Sequence, residues 1–322
     1  MQGSTAPASR ARWLGIACAL AVITIWTTFI LVARGSARGS LHAFDIAWLR
    51  FVFSGLVALP LAWWWRASLL SNLGGPERSP RVALARAAAL TLFAGIGYCG
   101  LAYSGFFFAP AAHAAVLMPG SLPLWTALFA VALLGERLTG RRVLGLALIV
   151  TGALLVGGSS LRASLEGAPA WRGDLLFLSA GMSWALYGVL CRRWRVGAIE
   201  ATLAVAAGCL LLAVPPYALA AWAGWVPSRL ATAPWGEMLF QAVYQGGLAM
   251  LVAGWAFTQV VSTFGPVKTT MVTAVVPPLA ALAAVPVLGE PLGAAALGGL
   301  AAVTLGLLVG TGVLPLPGRR AG

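Results

Sequence analysis

Ten long apolar runs dominate the chain, and each is close to the length that an α-helix needs to cross a lipid bilayer. Crossing the hydrocarbon core takes about 20 predominantly apolar residues. Only 9% of the 322 residues are charged, far fewer than in a soluble protein of this length. The sequence therefore predicts an all-α membrane protein with ten transmembrane helices, at roughly residues 13–33, 43–65, 84–107, 111–134, 141–159, 173–191, 200–222, 236–258, 268–288 and 292–313.

Two pairs of neighbouring runs are nearly continuous, and prolines mark the point where one helix should end. Phe-Ala-Pro at residues 108–110 separates the third run from the fourth, and Thr-Phe-Gly-Pro at residues 263–266 separates the eighth from the ninth. Proline lacks a donor N–H and clashes with the preceding turn. We therefore expect a helix break at each of these two positions.

A Gly-Glu turn and both of its flanks occur twice, 154 residues apart. LLGERL at residues 133–138 corresponds to VLGEPL at residues 287–292. The ten runs thus divide into two five-helix repeats, residues 1–165 and 166–322. Because five is odd, the second repeat must enter the membrane upside down relative to the first. Such inverted repeats are typical of transporters that rock about a site near the middle of the membrane.

The placement of lysine and arginine predicts the orientation. With the N-terminus inside, fifteen of the 21 basic residues collect on one face and five on the other, while Arg50 lies inside the second run. Basic residues favour the cytoplasmic side, so both termini are predicted to be cytoplasmic. The net charge of +13 is spread over short connections and forms no basic tract, which indicates topology and not nucleic-acid binding.

The pattern "P…LLGE-x-L…G…L-x-x-G", present twice in ten spans, resembles the EamA family of the drug/metabolite transporter (DMT) superfamily. Within that family the chain is most similar to the YddG-type aromatic amino acid exporters. The resemblance covers essentially the whole chain. It implies a ten-helix exporter of amino acids or related small metabolites, and it leaves the substrate open.

The Gly-Glu pair has two interpretations. Glycine accepts the left-handed backbone just past a helix C-terminus, and Glu136 then precedes the next helix, which Thr139 would cap. A tight interhelical turn in each repeat explains both pairs. A gating or coupling role for Glu136 or Glu290 is the alternative. Their predicted positions at opposite membrane borders argue against a shared substrate site.

Polar and aromatic residues at bilayer depth form the candidate substrate site. Unpaired polar groups are costly in hydrocarbon, so they must face other helices or water, and aromatic rings can stack on an aromatic ligand. In the eighth run Gln241, Tyr244 and Gln245 should share one helix face. Interhelical packing and anchoring at the membrane interface are the alternatives. The candidate substrate-binding residues are Trp26, Tyr98, Tyr103, His113, Trp184, Tyr187, Tyr244 and Gln245.

Two prolines and three basic residues within the runs complete the candidate site. Pro123 and Pro277, 154 residues apart, either free backbone carbonyls for gating and binding or simply kink a packed helix. Arg50 could pair with the nearby aspartate at position 45, contact a lipid phosphate or attract a substrate carboxylate. Lys268 could snorkel to the cytoplasmic border. His113 either forms a hydrogen bond at a helix interface or meets a substrate carboxylate.

These features favour a secondary transporter of the bacterial inner membrane that exports amino acids, above all aromatic or hydrophobic ones, or related small metabolites by alternating access. No carboxylate lies where a midplane proton relay would need one, and no GxxxxGK[ST] loop is present for ATP. We therefore expect facilitated diffusion or exchange. A broader drug, metabolite or nucleobase-type exporter is the alternative.

Other classes of function need residues in patterns that the chain lacks. Two histidines and four dispersed cysteines suggest neither a metal site nor a catalytic cluster, which argues against a membrane-embedded enzyme. A passive channel would carry a ring of like residues around one path. We expect a small-molecule substrate and the lipid bilayer as partners, no cofactor or metal, and a functional monomer.

Overall fold

A computed structural model describes residues 6–75, 79–165, 167–312 and 314, and it describes residues 6–11, 265–268 and 270–271 by their backbone alone. The first half of the described chain folds into eight α-helices and a π-helical segment, π1. They are α1 (Ala6–Ser36), α2 (Ala43–Trp64), α3 (Arg66–Leu73), α4 (Pro80–Leu90), π1 (Thr91–Gly97), α5 (Tyr98–Phe108), α6 (Ala111–Leu117), α7 (Leu122–Leu134) and α8 (Gly140–Ser164).

The second half contains seven α-helices and a longer π-helical segment, π2. As in the first half, the π-helical segment lies in the third long helical stretch. The elements are α9 (Ala170–Trp194), α10 (Ala198–Leu212), α11 (Val214–Trp222), α12 (Trp235–Gln241), π2 (Ala242–Val252), α13 (Ala253–Thr273), α14 (Val276–Leu288) and α15 (Ala294–Thr311).

Nine helical stretches in the described part of the chain are long and apolar enough to cross a membrane, and they coincide with nine of the ten predicted runs. The exception is the ninth run. Residues 268–288 are divided between the end of α13 and the shorter apolar helix α14. The prediction of an all-α, multi-pass membrane protein is confirmed, and the tenth complete span stays a prediction.

The expected helix break after the third run is confirmed, and the one after the eighth is wrong. α5 and α6 are separated at Ala109 and Pro110. In contrast, α13 continues through residues 263–266 without interruption. The chain turns instead at residues 274–275, immediately before α14. There Pro277 lies in the first helical turn, where its missing N–H leaves no helical hydrogen bond unmade.

Close glycine contacts join α8 in the first half to α15 in the second. A Cβ at Gly145 would lie 2.7 Å from the Gly306 carbonyl oxygen, and one at Gly152 would lie 2.6 Å from that of Gly299. Glycine at these positions lets the two backbones touch. Gly145 and Gly299 are 154 residues apart, and so are Gly152 and Gly306. Each contact is therefore the counterpart of the other when the halves are exchanged.

Other contacts between the halves also occur twice, once between two helices and once between their counterparts in the opposite halves. α1 packs against α13 and α14, while α9 packs against α5 and α7. Likewise α2 packs against π2, and α10 packs against π1. A two-fold relation between two inverted repeats would produce this pattern. Among these packed elements, α1 and α2 each contact α5 and π2, and these four elements carry the polar site described next.

Candidate functional site

Arg50 places a positive charge in the interior of the helix bundle. It lies seven residues into α2, which is about 10 Å along the helix axis, and only 5% of the residue is exposed. Its Nη1 donates to the Tyr103 hydroxyl at 3.4 Å, and its Cζ lies 5.9 Å from the centre of the Phe29 ring. The buried Nε has no hydrogen-bond partner within the described part of the chain.

The ion pair that Arg50 could have formed with Asp45 is absent. Asp45 is completely buried near the start of α2, and its two oxygens accept four hydrogen bonds at distances from 2.6 to 3.0 Å. A carboxylate with four donors is already satisfied. This option for Arg50 is therefore wrong. The donors are the Tyr217 and Ser228 hydroxyls and the backbone N–H groups of His42 and Arg229.

A chain of buried hydrogen bonds, which we call the polar chain, connects Arg50 to the end of α1. Tyr103 donates to Gln245 Oε1 at 2.9 Å, and Gln245 donates to Gln241 Oε1 at 3.3 Å. Gln241 in turn donates to Ser36 Oγ at 2.6 Å. All of these side chains are buried. Because each donor finds an acceptor in the next member, the chain can exist in the interior of the helix bundle without unpaired amides.

The predicted aromatic residues form two groups. Trp184 has its ring centre 4.8 Å from that of Tyr98 and 5.2 Å from that of Tyr187. Trp26 stacks on Phe257 at 5.4 Å. Each of the two tryptophans thus packs against an aromatic residue in the third helical stretch of the other half. Tyr98 is the first residue of α5, the helix that also carries Tyr103, so the first aromatic group and the polar chain share that helix.

α-Helical spacing predicted that Tyr244 shares one face with Gln241 and Gln245. In the structure it does not lie on their buried polar face. Its hydroxyl lies 2.5 Å from Thr28 Oγ1 on α1. The cause is π2, which begins at Ala242 and has a wider turn than an α-helix. In this wider turn Gln241 and Gln245, four residues apart, still contact each other. Tyr244, three residues after Gln241, turns toward α1 instead.

His113 lies in a separate cluster at the start of α6. Its Nδ1 is 2.8 Å from Asp174 Oδ1 on α9 and 3.3 Å from Ser160 Oγ on α8. The structure thus shows the hydrogen-bonded residue at a helix interface that was one of the two interpretations. The other, a contact between His113 and a substrate carboxylate, stays a prediction, and its Nδ1 is already engaged.

Glu290 joins four helices at one end of the bundle. Its Oε1 accepts a hydrogen bond from Arg34 Nε at 2.6 Å and lies 3.3 Å from Arg38 Nη2. Its Oε2 accepts from the backbone N–H of Ala111, the first residue of α6, at 2.8 Å. Arg34 also donates to the Phe106 carbonyl on α5 at 2.5 Å. We call Glu290, Arg34 and Arg38 the Glu290 cluster. Only 9% of the Glu290 side chain is exposed, so a buried carboxylate holds this end of the bundle together.

Glu136 forms the corresponding Glu136 cluster in the first half, and it is exposed. It pairs with Arg192 at the end of α9, and its Oε2 lies 3.7 Å from Arg142 Nη1. The exposed fraction is 31% for the carboxylate side chain and 54% for each arginine. Thr139 accepts the Arg142 N–H at 3.4 Å as the N-cap of α8, which confirms the predicted cap.

α8 places the two clusters at opposite ends of the bundle. It starts beside Glu136, at Arg142, and its last turns reach Ser160, which contacts His113 on α6. The first N–H of that same short helix binds Glu290. Ser160 lies eighteen residues after Arg142 on the helix, a distance of about 27 Å. This is close to the thickness of the hydrocarbon core.

The remaining predicted residues lie at the helix ends. Gly135 and Gly289 have left-handed backbones with φ of 68° and 66°, which confirms the tight-turn interpretation of both Gly-Glu pairs. Pro123 and Pro277 lie in the first turns of α7 and α14, two helices of 13 residues each. The side chain of Lys268 lies outside the described residues. Any contact of these residues with substrate or a gating motion stays a prediction.

Two arginines in the clusters were not singled out from the sequence. Arg34 and Arg192 end the first helix of their halves and bind the two glutamates. They are 158 residues apart, as are Trp26 and Trp184. That shared interval was the available signal. Asp174 was also missed as the partner of His113, because 61 residues separate them in sequence.

Metal ligands are not grouped in the described ranges. No three His, Cys, Asp or Glu side chains there are arranged to hold an ion. The four cysteines are free thiols, and three of them are buried among the packed helices. They act as packing residues, as their positions in apolar runs predicted.

Comparison with known proteins agrees with this architecture. The chain matches the EamA-like transporter family over residues 13–158 and again over residues 171–311. It is 27% identical over 230 residues to a Bacillus subtilis (strain 168) protein named "Uncharacterized transporter YyaM". The aligned region covers 69% of this chain and 71% of that protein. A solved structure described as "Crystal structure of protein" has a similar fold over 94% of this chain and 98% of that chain, with a TM-score of 0.56 and 24% identity. Because the two family matches cover most of its length, the chain belongs to the EamA-like transporter family.

Proposed function

We propose that this membrane transporter is a secondary exporter of aromatic or hydrophobic amino acids, or of related small metabolites, in the bacterial inner membrane. The observation that carries the proposal is the polar chain from Arg50 to Ser36, which is buried inside the bundle of apolar, membrane-spanning helices. Ionisable and polar groups within such bundles usually mark a substrate path. Tyr98 lies on the same helix as Tyr103, and its ring and that of Trp184 offer apolar faces for an aromatic side chain.

Alternating access follows from two inverted repeats, which we place at residues 1–165 and 166–322. Support comes from the separate family match of each half, the reciprocal glycine contacts and the two glutamate clusters at opposite ends. Two related bundles that pack through exchanged contacts can rock about a shared site. The distribution of basic residues favours cytoplasmic termini, and one chain supplies both halves, so a monomer suffices.

In this cycle the Glu290 cluster is the closed gate of the conformation described here. The largely buried Arg34–Glu290 pair ties α1 to the Gly-Glu turn after α14, and the Ala111 N–H ties α6 to the same carboxylate. When the gate opens these contacts separate, and Glu136 at the other end becomes buried against Arg192 in the corresponding way. Arg34 lies two residues before Ser36, so the polar chain links the gate to Arg50.

Transport runs by facilitated diffusion or exchange. The polar chain consists of one arginine, one tyrosine, one serine and two glutamines, and no carboxylate belongs to it among the described residues. A carrier that is obligately driven by protons usually has an ionisable carboxylate or histidine on the substrate path.

Counterflow in proteoliposomes tests the function. Purified protein is reconstituted without a pH or ion gradient, loaded with an unlabelled amino acid, and scored for uptake of the labelled one across a panel of amino acids and nucleobases. We expect saturable counterflow of aromatic and large apolar amino acids. Strict dependence on a proton gradient would refute facilitated diffusion or exchange, flux that does not saturate would indicate a channel, and selective uptake of nucleobases would refute the amino acid assignment.

Two tryptophan variants test the aromatic part of the site, one at Trp184 and a matched control at Trp222. Trp184→Ala removes a ring beside Tyr98, so we expect the apparent KM for an aromatic substrate to rise. Trp222 is 86% exposed at the end of α11, and Trp222→Ala should leave the KM unchanged. Equal KM values for the two variants would return Trp184 to a packing role.

A further inference from the structure

We propose that Arg50 recognises a carboxylate on the transported molecule, through the free edge formed by its Nε and Nη2 atoms. The inference rests on the proposed function and narrows it. The substrate must join an anionic carboxylate to an apolar or aromatic body. Amines, amides and uncharged nucleobases of the same size are then poor substrates, although they would fit an aromatic cavity equally well.

The Arg50 charge has no acidic partner in the described part of the chain. Arginine stays protonated in proteins, and a buried charge without a counter-ion is strongly unfavourable. Six of the eight acidic residues are described, and each has other hydrogen-bonding or ionic partners. They are Asp45 with its four donors, Glu136 and Glu290 with their arginines, Asp174 with His113, Glu200 with Asn72, and Glu237 with Ser40.

The unoccupied part of the guanidinium has the shape of a carboxylate receptor. Nη1 donates to Tyr103, and neither Nε nor Nη2 has a hydrogen-bond partner among the described residues. These two nitrogens lie on one edge of the planar group, so their N–H bonds are parallel. A carboxylate accepts two parallel N–H bonds with its two oxygens, which is the strongest and most specific pairing that arginine makes.

The groups that do touch Arg50 cannot replace the missing anion. The hydrogen bond to Tyr103 is long, at 3.4 Å, and the Phe29 ring centre is 5.9 Å from Cζ. A cation–π contact at that distance and one weak hydrogen bond compensate only part of the hydration that a buried guanidinium loses. A ligand that supplies two charge-assisted hydrogen bonds would compensate much more.

Burial distinguishes a substrate from a lipid headgroup. Arg50 is only 5% exposed, on the side of α2 that meets α1, α5 and π2. A phosphate on the lipid surface of the bundle cannot reach it, so that option for Arg50 is also unfavourable. A small molecule bound between these helices when they separate in the proposed cycle can reach it. Phe29, whose ring centre is 5.9 Å from the guanidinium carbon, then faces the apolar body attached to the carboxylate.

Matched ligand pairs test the inference with the unmodified protein. Counterflow of labelled L-phenylalanine and L-leucine is measured in competition with each acid and with its amide, L-phenylalaninamide or L-leucinamide, which keeps the size and the amino group and lacks the carboxylate. We expect each acid to compete at least about tenfold more strongly than its amide, since a hydrogen bond to a charged group is lost. The preference should persist in vesicles of phosphatidylcholine alone, which contain no anionic lipid.

The possible failures of this assay have different meanings. If amides compete as well as acids, transport stands and the carboxylate inference is overturned. If the preference disappears in phosphatidylcholine vesicles, it depends on anionic lipid and does not arise from pairing between Arg50 and the substrate carboxylate, and the inference is overturned as well. If no acid in the panel gives saturable counterflow, the proposed function and the inference both fail.

Substitutions at Arg50 test whether the preference for acids over amides depends on this residue. Arg50→Gln should abolish the preference for acids by raising their KM at least about tenfold, and Arg50→Lys, which keeps the charge without the planar edge, should retain part of it. Arg66→Gln is the matched control, because Arg66 is exposed on α3 and stacks on Trp63. A folded Arg50→Gln protein with the acid preference of the unmodified protein would overturn the inference. If that variant does not fold, Arg50→Lys and the ligand pairs carry the test.

Discussion

The two Gly-Glu turns have the same local structure and opposite surroundings. In each, a 13-residue helix ends at a left-handed glycine, and the N–H of the glutamate bonds to a carbonyl six residues earlier, that of Ala130 or Ala284. Yet Glu290 is buried among α1, α6 and α14, whereas Glu136 meets its arginines at the surface. The repeated sequence therefore specifies the turn, and the helices packed around it decide whether its carboxylate closes that end.

The largest expected effect comes from Glu290→Gln, which keeps the shape of the side chain and removes its charge. Arg34, whose side chain is 17% exposed, then loses its anionic partner, and we expect the clamped arrangement to lose on the order of 3 kcal/mol, the upper range for a hydrogen bond to a charged group. Hydrogen–deuterium exchange of the amides at the start of α6 measures this loss, because the Ala111 N–H binds Glu290. Unchanged exchange there would show that Glu290 does not hold the end closed.

An intermediate and equal effect is expected from Gly135→Ala and Gly289→Ala. Both residues have left-handed backbones, and a Cβ added at either meets nothing within 4 Å. Only the backbone strain remains, which costs about 1–2 kcal/mol at each position. Thermal unfolding in detergent should therefore show the same small loss for the two variants. A much larger loss at Gly289 would mean that its buried surroundings also determine the turn.

The smallest effect is expected from Glu136→Gln. Its ion pairs with Arg192 and Arg142 are half exposed, and such pairs contribute about 0–1 kcal/mol. High salt should reduce even this difference, since exposed charges are screened. Thermal unfolding at low and high salt measures both quantities. A loss as large as that of Glu290→Gln would show that the two ends are equally clamped.

Much of the fold was predictable, because bilayer thickness requires about 20 apolar residues per span. The Gly-Glu turns were predictable for a local reason, since glycine accepts a left-handed backbone after a helix. The continuous helix through residues 263–266 was not predictable. A proline favours a helix break but does not impose one, so a single proline could not show where α13 ends. π2 was also missed, and with it the different neighbours of Tyr244 and Gln245, since hydrophobic spacing assumes 3.6 residues per turn.

The partners of the charged residues were the least predictable part of the site. Arg34 and Glu290 are 256 residues apart in sequence, and only the packing of α1 against α14 brings them together. Arg50 illustrates the converse case. Its nearest aspartate in sequence is Asp45, on the same helix, yet segments far along the chain satisfy that carboxylate. Sequence distance therefore gave no guide to which charges pair.

The central claim is that two oppositely oriented halves enclose one site, and the sidedness of the two turns tests it. Single cysteines replace the exposed Arg137 and Pro291 in a protein whose four native cysteines have been removed, and intact cells are treated with a membrane-impermeant maleimide. Our account predicts labelling of Pro291→Cys in intact cells and of Arg137→Cys only after the membrane is opened. Labelling of both cysteines from the same side would contradict it.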